Sequence, residues 1–316
     1  MTETTKVLFE CYEVRKTKAQ KAAFADYVRE VAEQYGYTFS VEQHSNGARN
    51  LVVGDVSRAR AVYTAHYDTC ARTPFPNFIT PKNFLIYFLY QLLTVFVFYA
   101  PVFAAVALTN WLLVTSGASE DARVVLSEAV LFVGMFFVLW LITAGPANQH
   151  TANDNTSGVT TLLDVMCALP EEQRGKVAFV FFDLEERGLR GSKAYFAKHK
   201  ADMKEKLLVN FDCVSDGEYI LLAIKKGAQR HLPLLERAFV GDGTYEVDLA
   251  TRGVFYPSDQ ASFPCGVGVA ALKKSKRGNL VYMNRIHTKR DVVYNEKNIE
   301  FLVRCTLRLT EILSFK

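Results

Sequence analysis

The stretch KVAFVFFDLEERGLRGS, residues 176–192, decides the fold. Positions 177–182 are apolar without interruption, between Lys176 and Asp183. A short run that is apolar at both alternating positions suits a central strand buried on both faces of a sheet. Two adjacent carboxylates, Glu185 and Glu186, follow it, and helical spacing resumes over 189–199. Polar groups at the end of a buried strand lie where open α/β sheets build their sites.

The same grammar repeats outward from this stretch. Residues 51–54, 61–65, 207–211, 219–223 and 266–272 read as strands. Residues 16–35 place Ala23, Phe24, Tyr27, Val28 and Val31 at helical spacing and stop at Gly36. Residues 156–169, 231–239 and 296–313 read as further helices. Alternating strands and helices predict an α/β fold, a three-layer sandwich around a central mixed, mostly parallel sheet.

One segment breaks the pattern. From Asn83 to Ser119 no residue is charged. Residues 84–114 alone are far longer than the roughly 20 that cross a bilayer. Pro101 is expected to kink this run or end one helix. After the polar linker SGASEDAR, residues 124–142 form a second apolar stretch that carries one acid, Glu128. Together they predict an inserted two-helix transmembrane hairpin, because soluble helices keep a polar face. The alternatives are a buried helix pair, a lid or a dimer interface. The expected organisation is residues 1–80 as the first part of the α/β domain, 81–146 as the hairpin and 147–316 as its second part. Lipid would be met through residues 83–145. Arg72 and Lys82 lie beside the hairpin's start, and the first twenty residues lack the apolar core of a secretory leader. Both features are expected to place the α/β domain on the cytoplasmic side. The basic run KKSKR, 273–277, is expected as a solvated loop, with anionic lipid as the other reading.

Composition excludes some classes. Hydrophobic residues make up 50% and charged residues 22%, so the chain is not disordered. A net charge of +4, with no basic run interleaved with aromatics, gives no footprint for nucleic acid. The cysteines, Cys11, Cys70, Cys167, Cys213, Cys265 and Cys305, form no C-x-x-C pair and are expected to be reduced.

The chemistry lies in five islands: His66-Tyr67-Asp68, Asp154-Asn155, Glu185-Glu186, Asp212 and His287-Thr288. Mixed imidazole and carboxylate donors suit zinc or a similar divalent ion. Adjacent carboxylates after a buried strand repel each other unless a cation compensates. Asp154 stands before a helix and, taken alone, reads as its cap before it reads as a ligand. Asp68, two residues past His66, is placed to hold the other nitrogen of a metal-bound ring.

The order of the islands resembles a family: the di-zinc aminopeptidases, zinc-dependent exopeptidases related to bacterial leucyl aminopeptidase, glutamate carboxypeptidase II and the transferrin receptor. The resemblance rests on AHYDT (65–69), ANDNTSGV (152–159), LEERGLRGS (184–192), NFD (210–212), SDQASF (258–263) and IHTKRD (286–291). It implies two zinc ions. His66 and Asp212 would bind one, Glu186 and His287 the other, and Asp154 would bridge them. Asp68 would orient His66. Glu185 would be the general base towards a metal-activated water, and Tyr256 would help hold the oxyanion. The implied activity is removal of N-terminal residues from peptides. An amidase or deacylase of N-acyl or lipidic substrates and a non-catalytic scaffold are the alternatives, and a homo-oligomer is compatible with either. A glutaminyl-cyclase-like activity fits less well, since those relatives use one zinc. Two departures stand out. Gln260 replaces the histidine usual after Asp259, and the hairpin replaces a loop of about a dozen residues between His66 and Asp154.

Overall fold

The computed structural model describes residues 1–314. Two helices open the chain, α1 (Glu3–Cys11) and α2 (Lys18–Gln34). Three strands follow, β1 (Phe39–Gln43), β2 (Arg49–Val53) and β3 (Ala61–His66). The hairpin is α3 (Phe84–Thr115) and α4 (Glu120–Thr143). Then come α5 (Ser157–Ala168), the short α6 (Glu171–Arg174), β4 (Val177–Phe182), α7 (Arg190–Lys198) and α8 (Lys200–Met203). The chain continues through β5 (Leu207–Phe211), β6 (Tyr219–Ile224), α9 (Leu232–Ala238), β7 (Glu246–Ala250), β8 (Gly266–Lys274), β9 (Val281–Tyr282) and α10 (Glu296–Ser314).

The strands form one mixed sheet in the order β1-β2-β4-β3-β5-β8-β6-β7, with β9 on β8. Its centre, β4-β3-β5-β8, is parallel, and antiparallel pairs flank it on both sides. Burial alternates along β4. Val177, Phe179 and Phe181 join the core under α2, α5 and α10, while Ala178, Val180 and Phe182 join the core under α7 and α8. Helices therefore cover both faces, as a strand apolar at every position requires. In register, His66 lies beside Phe182, and Thr64 beside Asn210. The carboxyl ends of β3, β4 and β5 thus reach one edge together.

The hairpin leaves this body between β3 and α5. At about 1.5 Å per residue, the 32-residue α3 is about 48 Å long. It runs through Pro101 without a break. Asn83 caps α3, its Oδ1 accepting the Ile86 N–H, and Ser119 caps α4. The polar linker is therefore shorter than the sequence suggested, because Glu120–Arg123 form the first turn of α4 behind the Ser119 cap. Val102 and Val138 are the only buried residues of the two helices, and large apolar side chains from Phe84 to Ile142 are exposed. Both helices are long and apolar enough to cross a membrane. Near their far end Asn110, Arg123, Ser127 and Glu128 line a cleft between them. The base of α3 packs on the body, with Phe98 against Phe75, Tyr90 against Phe78 and Phe84 against Phe255.

The basic run at 273–277 is only partly a loop. Lys273 and Lys274 end β8 and pair with Asp216 and Glu246. The six cysteines are all unpaired.

Candidate metal centre

The five islands converge at the carboxyl edge of the sheet. His66 ends β3, Glu185 and Glu186 follow β4, Asp212 follows β5, Asp154 lies in the loop before α5, and His287 lies past β9. His66 Nε2 is 3.3 Å from Asp154 Oδ1 and 3.4 Å from Asp212 Oδ1. His287 Nε2 is 3.2 Å from Asp154 Oδ2 and 3.3 Å from Glu186 Oε2. Asp154 thus turns one oxygen to each imidazole.

The helix cap lies elsewhere. The side chain that serves the first turn of α5 is that of Asn155, whose Oδ1 accepts the Gly158 N–H at 3.1 Å and also that of Cys213 at 3.2 Å. Its amide donates to the Phe211 carbonyl at 3.0 Å and to that of His66 at 3.3 Å. Asn155 ties the ends of β3, β5 and α5 together and leaves the Asp154 carboxylate free. A Cβ at Gly158 would stand 2.3 Å from the Phe211 carbonyl oxygen, so only glycine permits this approach.

Asp68 makes two contacts at the site. His66 Nδ1 is 3.0 Å from the Asp68 carbonyl oxygen, while its distance to the carboxylate is 3.6 Å, too long for a hydrogen bond. The Asp68 carboxylate accepts the Glu185 N–H instead, at 3.0 Å. The tight turn after β3 brings the main-chain oxygen to the ring first. Asp68 therefore holds His66 through its backbone and the Glu185 segment through its side chain. Tyr256 is buried beside the cluster and donates its hydroxyl proton to the Asp212 carbonyl at 2.9 Å.

Three contributors had little signal in the sequence. Asp291 accepts the backbone N–H groups of Asn153 and Asp154. Arg15, fully buried, donates Nε to the Tyr67 carbonyl at 2.6 Å and its guanidinium to the Thr156 hydroxyl. Burial lowers its pKa to about 10. Cys70 is also buried, and its sulfur stands with Asp154, Glu186 and His287. Asp291 was at least visible as the last letter of IHTKRD.

The electrostatics of the cluster suit a cation. Burial opposes charging of His66, but the nearby carboxylates of Asp154, Asp212 and Asp68 outweigh it and hold the pKa well above the usual value. Burial works the same way at His287, yet Glu186 and Asp154 raise it to about 9. Glu185 is pushed well up by burial and by Glu186, Asp259 and Asp212, against the opposing pull of His66. Burial, with Asp154 and Asp68, lifts Glu186 to about 8. Protons are held where a divalent ion would neutralise the same carboxylates. One ring nitrogen of His66 faces two carboxylate oxygens and cannot donate to both. Glu186 Oε1 and Asp212 Oδ1 are buried with no hydrogen-bond partner among the described residues. Two donor groups, His66–Asp154–Asp212 and Cys70–Asp154–Glu186–His287, can each hold a metal ion. The residues present fit divalent metal.

Residues 138–307 match the model of Peptidase family M28. The chain belongs to peptidase family M28. The M28 match takes in Asp154, Glu185, Glu186, Asp212 and His287, while His66 and Asp68 precede it. The fold of this M28 chain is similar to that of the LapA aminopeptidase of Legionella pneumophila, at 14% identity over 99% of this chain and 68% of that one, with a TM-score of 0.55. It is similar to a glutaminyl cyclase of Porphyromonas gingivalis, at 14% identity over 98% of both chains and a TM-score of 0.56. A leucine aminopeptidase precursor of Bacteroides thetaiotaomicron matches at 13% identity over 96% of each chain, with a TM-score of 0.55. No curated protein sequence matches the chain.

Proposed function

We propose that this M28 chain is a membrane-anchored di-zinc aminopeptidase that acts on peptides or small amides. One observation carries the reading: Asp154 stands between His66 and His287 with one carboxylate oxygen towards each. His66, Asp154 and Asp212 would hold one ion, and Asp154, Glu186 and His287 the other. Zinc suits these donors, and other divalent ions fit the same set. Bound divalent ions would lower the pKa of water and polarise the scissile carbonyl.

The protein's own groups then divide the work. Glu185 takes a proton from the attacking water and returns it to the leaving amine. Its position is set by the Asp68 carboxylate on its backbone N–H. Tyr256 would offer its hydroxyl to the developing oxyanion, giving up its bond to the Asp212 carbonyl.

In this reading residues 81–146 are a unit inserted between catalytic parts 1–80 and 147–316, and residues 83–145 meet lipid. Support comes from the exposed apolar flanks of α3 and α4, and from Trp111 and Trp140 near opposite ends of the hairpin. The base is basic. Lys16 Nζ donates to the Thr143 carbonyl at 3.3 Å, and Arg72 donates its backbone N–H to Pro146 at 2.8 Å. The far end carries Glu120, Asp121 and Glu128 against Arg123. That asymmetry favours a cytoplasmic catalytic part.

The deciding experiment compares wild type and Glu185→Gln on a panel of aminoacyl reporters, N-acylated peptides and an N-terminal glutaminyl peptide. The expected result is hydrolysis of free-amine substrates by wild type, lost in the variant while metal content stays at two ions per chain. Turnover of acylated peptides alone would make the protein a deacylase, and cyclisation of the glutaminyl peptide a cyclase. Release of the full chain by alkaline carbonate would remove the spanning hairpin.

A further inference from the structure

Cys70 lies two residues past Asp68 and is 1% exposed. Of the four buried cysteines, Cys213, Cys265 and Cys305 belong to apolar cores, and Cys70 belongs to none of them. Its sulfur keeps other company. Donor atoms of Cys70, Asp154, Glu186 and His287 all lie within 4.8 Å of one another. The backbone holds it there. Asn148 donates its N–H to the Cys70 carbonyl at 3.2 Å, and Ala71 pairs with Ala147 in an antiparallel bridge. Glu186 belongs to the same group, and its Oε1 is buried with no hydrogen-bond partner among the described residues. A small apolar residue would serve as well if the position needed only packing. A sulfur beside two carboxylates and an imidazole has the chemistry of a fourth donor.

We infer that Cys70 Sγ is a protein ligand to the ion held by Asp154, Glu186 and His287, an inference that rests on the two-ion reading above. The thiol proton leaves to solvent as the sulfur–metal bond forms. The two positions then differ in kind. His66, Asp154 and Asp212 supply three donors of nitrogen and oxygen, which leaves a place open. The second position has four protein donors, the number that fills a tetrahedral zinc shell. Sulfur also biases it towards zinc and similar soft-tolerant ions and away from magnesium or manganese.

The test uses the full-length chain in detergent, stripped of metal and titrated with Co2+, which reports its ligands by absorption. The expected result is two cobalt ions per chain and a near-ultraviolet thiolate-to-cobalt charge-transfer band. Cys70→Ser should lose that band, keep the visible cobalt bands, and hold one of the two ions more weakly, by on the order of 10–100-fold in dissociation constant. Cys213→Ser, a change at the neighbouring buried thiol, should keep the band. Two bound cobalt ions without a charge-transfer band, or a band that survives Cys70→Ser, would overturn the ligand assignment and leave the two-ion reading standing. No cobalt uptake by wild type would overturn both.

Discussion

Asp291 holds Asp154 by its main chain: its Oδ2 accepts the Asp154 N–H at 3.1 Å, while its Oδ1 accepts that of Asn153 at 2.9 Å. One buried carboxylate thus fixes the loop that carries another. The two acids repel, and burial with Asp154 lifts the Asp291 pKa to about 7. Asp291→Asn would turn an amide N–H towards one of the two backbone donors. Leaving a buried donor unmatched costs roughly 1–3 kcal/mol. The expected outcome is a lower unfolding midpoint of the metal-free protein, with weaker metal retention. An unchanged midpoint, measured by denaturant titration in detergent, would show that the loop is held by other bonds.

Tyr256→Phe separates two roles for one hydroxyl. If the hydroxyl turns from the Asp212 carbonyl to the oxyanion, kcat should fall on the order of 100-fold while KM changes little. If it only props Asp212, kcat should stay near wild type and the unfolding midpoint should drop. The expected result is the first. Steady-state kinetics and thermal unfolding on the same preparation distinguish the two.

The legible parts of the sequence were those whose local pattern equals their final environment. β4 is apolar on both faces because both faces are covered, so KVAFVFFD announces a central strand. The edge strands β1 and β7 carry mixed patterns, FSVEQ and EVDLA, because parts of them stay exposed, and periodicity misses them. The start of α4 looked like linker because a serine cap and two acids have the composition of a loop. At the site, the residues at strand ends could be named from sequence, whereas their supports could not. Arg15 reaches Tyr67 and Thr156 across 52 and 141 positions, and Cys70 joins its donors only in the folded chain. The Asp68 spacing suggested a carboxylate on His66, but a turn also offers its carbonyl, which spacing alone does not distinguish.

Asp164 gives a pH dependence away from the metal centre. It lies in α5 and accepts the hydroxyls of Thr2 and Thr4. Burial raises its pKa above the ordinary carboxylate value, and those hydroxyls offset only part of the effect. The folded state therefore prefers the protonated acid. Its contribution is fully present below the unfolded pKa and is lost as pH rises through the folded one. Asp164→Asn, which carries no charge, should unfold at a higher temperature than wild type at neutral pH. The difference should close as pH falls towards about 4. A difference that is constant across that range, in paired melting curves, would assign the effect to something other than this carboxyl.

The hairpin's own stability turns on Gly134. A Cβ there would stand 2.5 Å from Val102 Cγ1, and Val102 is one of the two buried residues of the helices. In the membrane-anchored reading proposed above, the helices gain nothing by hiding apolar surface from each other, so close backbone approach would carry the association. Gly134→Ala should push α4 from α3 at a cost of about 1–3 kcal/mol from overpacking. Val102→Ala in the same chain should make room and restore much of it. The two changes are therefore predicted to couple strongly, with the double variant closer to wild type than Gly134→Ala alone. Thermal unfolding in detergent, followed by protease cleavage within the hairpin, measures the four members of the cycle. Additive losses would mean that the two helices do not meet at this point.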